Sequence, residues 1–171
     1  DINETSVNNT IQNDDHMFFS VGAGQTWAFT IDLLSRNNNS GTPDFKMDML
    51  GAAGWTCSYT ITYDYDATAS TQGNDCDAAP TTVTVLTPAD GVFVKPMTVR
   101  GTITTTTAGT VRFRWSQNTT SAGNAVTLFA GSKLTARRVK DGVDLAEMYY
   151  STESGLFPGV VMSLDPTVTA G

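Results

Sequence analysis

The stretch QTWAFTIDLLS, residues 25–35, places Trp27, Phe29, Ile31 and Leu33 on one side of an extended chain and Ala28, Thr30 and Asp32 on the other. A period of two marks a strand with one face buried and one face solvated. The same reading extends in both directions. Before it, HMFFSV (16–21) is a strand that turns at Gly22-Ala23-Gly24. After it, the loop RNNNSGTP (36–43) leads to Phe45, Met47 and Met49 alternating with Lys46 and Asp48, and then to WTCSYTITY (55–63), where Tyr59, Ile61 and Tyr63 share a face. A polar loop over 64–80 precedes TTVTVL (81–86).

Pro88-Ala89-Asp90-Gly91 carries the signature of a tight reversal, and VFVKPMTVRGTIT (92–104) is a strand in which Pro96 demands a bulge or an edge, because proline has no N–H to give a ladder. GTVRFRWSQ (109–117) sends Val111, Phe113 and Trp115 inward and Arg112 and Arg114 outward. AVTLF (125–129) and SKLTARRV (132–139) follow. About eight or nine short strands separated by turn residues predict an all-β fold, an antiparallel β-sandwich of jelly-roll type. Only DGVDLAEMYY (141–150) has the composition for a helical turn.

Composition agrees. Threonine occurs 28 times, and its β-branched side chain suits a pleated surface better than a helix. Only 16% of residues are charged, against a usual share of roughly 25%, and Thr, Ser, Asn and Gly supply the polarity, as in proteins that work outside the cell. A net charge of -7 leaves too few cations to neutralise phosphates, which argues against a nucleic-acid partner. Residues 1–86 carry net -9 and residues 87–171 net +2, an asymmetry that would draw subunits together head to tail or is simply scattered surface charge.

Cys57 and Cys76 enclose 18 residues. Without nearby histidines they lack zinc-ligand spacing, so a disulfide is expected, worth about 3 kcal/mol for a loop of this size. Two buried thiols are the alternative. No run approaches the roughly 20 apolar residues that span a bilayer, so membrane insertion is not expected. A chain that opens on Asp1 is expected to be a processed form or a piece of a longer protein. Residues 1–15 read as a polar arm or linker, 16–140 as the jelly-roll domain, and 141–171 as a connecting or assembly segment.

In their order, VGAGQTWAFTIDLL (21–34), TPDFKMDMLG (42–51), VRGTI (99–103), AGTVRFRWSQNTT (108–120) and LFAGSKLTARRV (128–139) resemble head domains of phage tail fibres and related bacterial surface appendages. Those heads have the jelly-roll fold of tumour-necrosis-factor-like and C1q-like domains. DLAEMYYSTESGLFPGVVMSLDP (144–166) resembles the segment that follows such heads in longer fibres. The resemblance implies a virion or cell-surface location, a homo-oligomer such as a trimer, and a host-surface glycan or receptor as the outside partner.

Catalytic signatures are missing: there is no GxSxG, HExxH, P-loop or GxGxxG, and His16, flanked by Asp14 and Asp15, is the one histidine. The expectation is a protein that is not an enzyme and needs no cofactor. Asp64, Asp66, Asp75 and Asp77 gather near Cys76 and form the one candidate calcium set, with solvated loop acids as the plain alternative. Trp55 and Tyr65 are the candidates for stacking on a sugar, against core packing for the aromatic set as a whole. Glycosylation sequons stand at Asn3, Asn8, Asn38 and Asn118. Val7 and Ile11 near one terminus, and Val160, Val161 and Leu164 near the other, are the residues expected to mediate assembly, for instance by donating a strand to a neighbour. A structural subunit of a fibre or filament is thus the leading expectation, and a receptor- or carbohydrate-binding head the second.

Overall fold

A computed structural model describes residues 3–37, 44–63, 69–85, 94–121 and 123–139. The turn at 88–91 and the whole of 140–171 lie outside the described residues. Among those described there are eleven strands and no helix: β1 (Glu4–Ser6), β2 (Gln12–Val21), β3 (Thr26–Asn37), β4 (Phe45–Leu50), β5 (Thr56–Tyr63), β6 (Ala69–Gly73), β7 (Val83–Val85), β8 (Lys95–Thr104), β9 (Gly109–Gln117), β10 (Val126–Leu128) and β11 (Lys133–Val139). Three go beyond the sequence reading or alter it. β1 and the first residues of β2 fall within the stretch read as an arm, and β6 forms where a loop was expected.

The strands make two antiparallel sheets. One runs β2-β9-β4-β7, and the other contains β3-β8-β5-β6. Pairing is nested: β5 with β6, β4 with β7, β3 with β8, β2 with β9. A long hairpin folded over on itself gives this pattern, which is the double-sheet jelly roll. Pro96 sits in unbroken register opposite Leu34, while pairing of β8 with β5 ends at Met97. Among the described residues, the missing N–H therefore falls where β8 has one neighbour, with no bulge.

Alternation builds the core as the sequence predicts. Phe29, Ile31 and Leu33 of β3, Ile61 of β5, and Val99 and Ile103 of β8 face Phe45, Met47, Met49, Val111, Phe113 and Trp115 of the other sheet, all buried. Phe45 stacks on Trp115 with ring centroids 5.8 Å apart and on Phe113 at 6.5 Å. Each such side chain taken out of water stabilises the fold by about 1.5–3 kcal/mol. Gly101 sits between Phe29 and Tyr59 in one cross-strand row, and those two rings approach to 6.4 Å above it. A Cβ there would lie 2.5 Å from the Ser58 carbonyl oxygen and from the Tyr59 Cβ, so glycine is what lets the two aromatics close over the strand.

The remaining strands extend one edge. β3 offers the edge opposite β8 to β11 over Thr26–Asp32 and to β10 over Ser35–Asn37. Between them Phe129–Ser132 loop out, with Gly131 at φ 98°, where a side chain would be strained. The Phe129 N–H donates to the Leu34 carbonyl at 2.8 Å, and the Leu34 N–H to Ser132 Oγ at 3.0 Å, so the insertion stays tied to β3. β1 then pairs with β10, matching Glu4, Thr5 and Ser6 to Leu128, Thr127 and Val126.

Candidate functional site

The corner where β1, β2 and the β10–β11 insertion meet holds the one group of potential metal donors found among the described residues, Glu4, Asp14 and His16. The register of β2 explains it. Asn13 pairs with Arg114 and Phe18 with Arg112, so Asp14–Met17 bulge out opposite a single residue of β9. Asp14 turns inward, 2% exposed, and one carboxylate oxygen accepts the N–H groups of His16 at 2.9 Å and Met17 at 2.8 Å. Those two bonds fix the bulge, sending Met17 into the core and His16 to the surface.

Glu4 arrives from the other sheet, with its carboxylate 3.9 Å from His16 Nδ1, and one donor atom from each of the three lies within 4.8 Å of the others. A cavity of about 50 Å³ opens beside them, lined also by Met17 and Leu128–Ser132. Burial pushes the Glu4 carboxyl above its ordinary value, Asp14 and Asp15 add to the rise by repulsion, and His16 pulls it partly back. One imidazole nitrogen with two carboxylates is a donor set suited to a zinc-like cation more than to calcium, which takes six to eight oxygens. The sequence placed Asp14 and Asp15 beside His16. It gave no sign of Glu4, which arrives only because β1 crosses to the opposite sheet.

The disulfide joins Cys57 at the start of β5 to Cys76 just beyond β6, with Cα atoms 5.7 Å apart. It closes the loop expected from the sequence. Of the four acids read as a calcium set, Asp64 and Asp66 lie outside the described residues. Asp75 accepts hydrogen bonds from the Thr81 N–H at 2.9 Å and Thr81 Oγ1 at 3.0 Å, and these hold its carboxyl below the ordinary aspartate value. Asp77 accepts from the Ala79 N–H at 2.6 Å. Both carboxylates therefore brace the turn after the disulfide.

Trp55, read as a sugar platform, is buried at 4% exposure, packs toward Gly51 and Gly109, and donates its Nε1–H to Thr107 Oγ1 at 3.1 Å. Its ring is unavailable for stacking on a sugar, because the turn that follows β4 and the turn that leads into β9 close around it. Tyr65 lies outside the described residues. Of the sequons, Asn3 and Asn8 are exposed and Asn118 is half-buried, while Asn38 is outside the described residues. Asn3 and Asn8 already use their side-chain oxygens, for the Ala130 and Thr10 N–H groups at 2.9 Å each. Val7 is 44% exposed and Ile11 half-buried in the β1–β2 link. Val160, Val161 and Leu164 lie outside the described residues.

Comparison with protein-family models, with curated proteins and with solved structures finds no match for this chain. Its function has to be argued from its own residues.

Proposed function

We propose that this protein is a non-enzymatic structural subunit of an extracellular fibre or filament, on a cell surface or a virion, and that it assembles with copies of itself through its chain ends and sheet edges. One observation carries the reading: the first strand and the last two described strands, β1, β10 and β11, all extend the same free edge of β3, outside the eight-stranded roll. A sheet edge is where one chain most readily pairs with another, and here the edge is built from the first and the last of the described strands.

Two further features support it. The disulfide is at home in an oxidising compartment. Exposed Val7, Val94 and Val139 leave apolar surface at strand ends. Electron microscopy of the native material tests the proposal: regular filaments or discrete closed oligomers are expected, and monodisperse monomers at high concentration would overturn it.

A further inference from the structure

β1 is held differently from every strand of the roll. Like β7 it has three residues and, among the described residues, one strand neighbour, but where β7 buries Val85 the side chains that β1 turns inward are Glu4 and Ser6. No apolar side chain of β1 enters the core, so burial contributes little toward the entropy of ordering it. Its other attachments are polar: Thr5 Oγ1 to Thr127 Oγ1 at 3.4 Å, the Gln117 N–H to Ser6 Oγ at 3.4 Å, and the Ala130 N–H to Asn3 Oδ1 at 2.9 Å. Water competes for each of these partners. Docking also brings Glu4 against Asp14, with Asp15 close enough to add repulsion, and His16 opposes these charges only when it is protonated.

The connection to β2 is short and mostly solvated. Val7, Asn8, Asn9 and Thr10 are exposed and Ile11 is half-buried, while the link crosses from one sheet to the other. It turns through local bonds, Ser6 Oγ donating to the Asn8 carbonyl at 3.0 Å and the Thr10 N–H to Asn8 Oδ1 at 2.9 Å. Straightened, five residues reach about 17 Å.

We propose that β1 is an exchangeable strand: in the assembled protein, Glu4–Ser6 of one copy pairs with β10 of a neighbouring copy in the register seen within the single chain. This rests on the self-assembly reading and names its segment and its acceptor edge. The occupant is a second copy of this chain because Glu4–Ser6 is the sequence whose side chains match that edge and the strand end beneath it, Thr5 on Thr127 of β10 and Ser6 on the Gln117 N–H of β9. Exchange between identical chains preserves every one of those contacts and frees the link from its turn. Reciprocal exchange closes a dimer, whereas one-way exchange continues into a filament.

The test uses two full-length chains, one tagged and carrying Thr5→Cys, the other untagged and carrying Thr127→Cys, mixed under assembly conditions and then oxidised. The expected result is a disulfide-linked heterodimer in at least fivefold excess over a control mixture of Thr84→Cys with Thr127→Cys. The double variant T5C/T127C should close within one chain at high dilution, which checks that the substituted strand still docks. A mixture that gives no more heterodimer than the control overturns the exchange, whatever the double variant does. If regular assemblies are nevertheless seen by microscopy, exchange has failed and self-assembly stands; if none are seen, the self-assembly reading has failed with it.

Discussion

The guanidinium of Arg114 grips the carboxylate of Asp48 with two parallel hydrogen bonds, Nε at 2.7 Å and Nη2 at 2.8 Å, directly across the β4–β9 pair. Alternation puts both on the face of the sheet turned away from Phe45, Phe113 and Trp115, yet the Asp48 side chain is 0% exposed and that of Arg114 19%. Burial pushes the Asp48 carboxyl above the ordinary aspartate value, and Arg114 holds it partly down. Arg114→Ala leaves that carboxylate buried without its partner and should cost about 3–5 kcal/mol in urea unfolding. Replacing both residues, as D48L/R114M, should recover most of that loss.

The disulfide has a simpler expectation. Cys57→Ser with Cys76→Ser releases a loop of 18 enclosed residues and should lower stability by about 3 kcal/mol, read as a fall in thermal midpoint. Reductant should lower the midpoint of the unaltered chain to the same value and leave the double variant unmoved.

Acidity should act on the two ends of the structure with opposite sign. Glu4 has a folded pKa above its ordinary 4.5, so its contribution is fully present below that value and is lost as pH rises through the raised one. Amide protection at Val126 and Leu128, whose N–H groups face β1, should therefore strengthen on acidification from neutral pH, and Glu4→Gln should flatten the trend. Asp75 is depressed, so its contribution is present above its ordinary 3.8 and is lost as pH falls through the lower folded value. Asp75→Asn should remove that acid-side loss in a pH series of unfolding.

Two substitutions under the β5–β6 pair should differ. The Tyr59 hydroxyl is buried with no hydrogen-bond partner among the described residues, and burial pushes it far above the ordinary phenol value. Tyr59→Phe removes an unsatisfied group and should leave stability unchanged or raise it by up to about 1 kcal/mol. Gly73→Ala puts a methyl group into the Tyr59 ring and should cost about 1–3 kcal/mol. Thermal unfolding of both checks the pair.

The sandwich was legible because β3, β5 and β9 lie between core and solvent, which forces Phe29, Ile31, Leu33, Tyr59, Ile61, Val111, Phe113 and Trp115 onto alternate positions. β6 was not, because ASTQG has no apolar alternation to show: it pairs with β5 at the sheet's edge. β1, reading ETS, is too short and too polar to announce itself, and it exists through its pairing with β10. The Glu4–Asp14–His16 group was hidden for the same reason, since it depends on a bulge in one strand meeting a short strand of the opposite sheet. Alternation puts Asp48 on the outward face and says nothing about an arginine folding over it. For Trp55 the sequence left sugar stacking and core packing both open, and the structure encloses it beside a glycine turn.

The nested pairing also sets an order for closing the chain. β5 with β6 joins residues close in sequence, while β4 with β7, β3 with β8 and β2 with β9 span progressively longer separations. Loop-closure entropy grows with separation, so the innermost pair is the least costly starting point and the outermost the last to form. Cys57 and Cys76 flank that innermost pair. A bond formed there early shortens the effective contour of every enclosing hairpin at once, so oxidation before collapse should speed folding as well as stabilise its product.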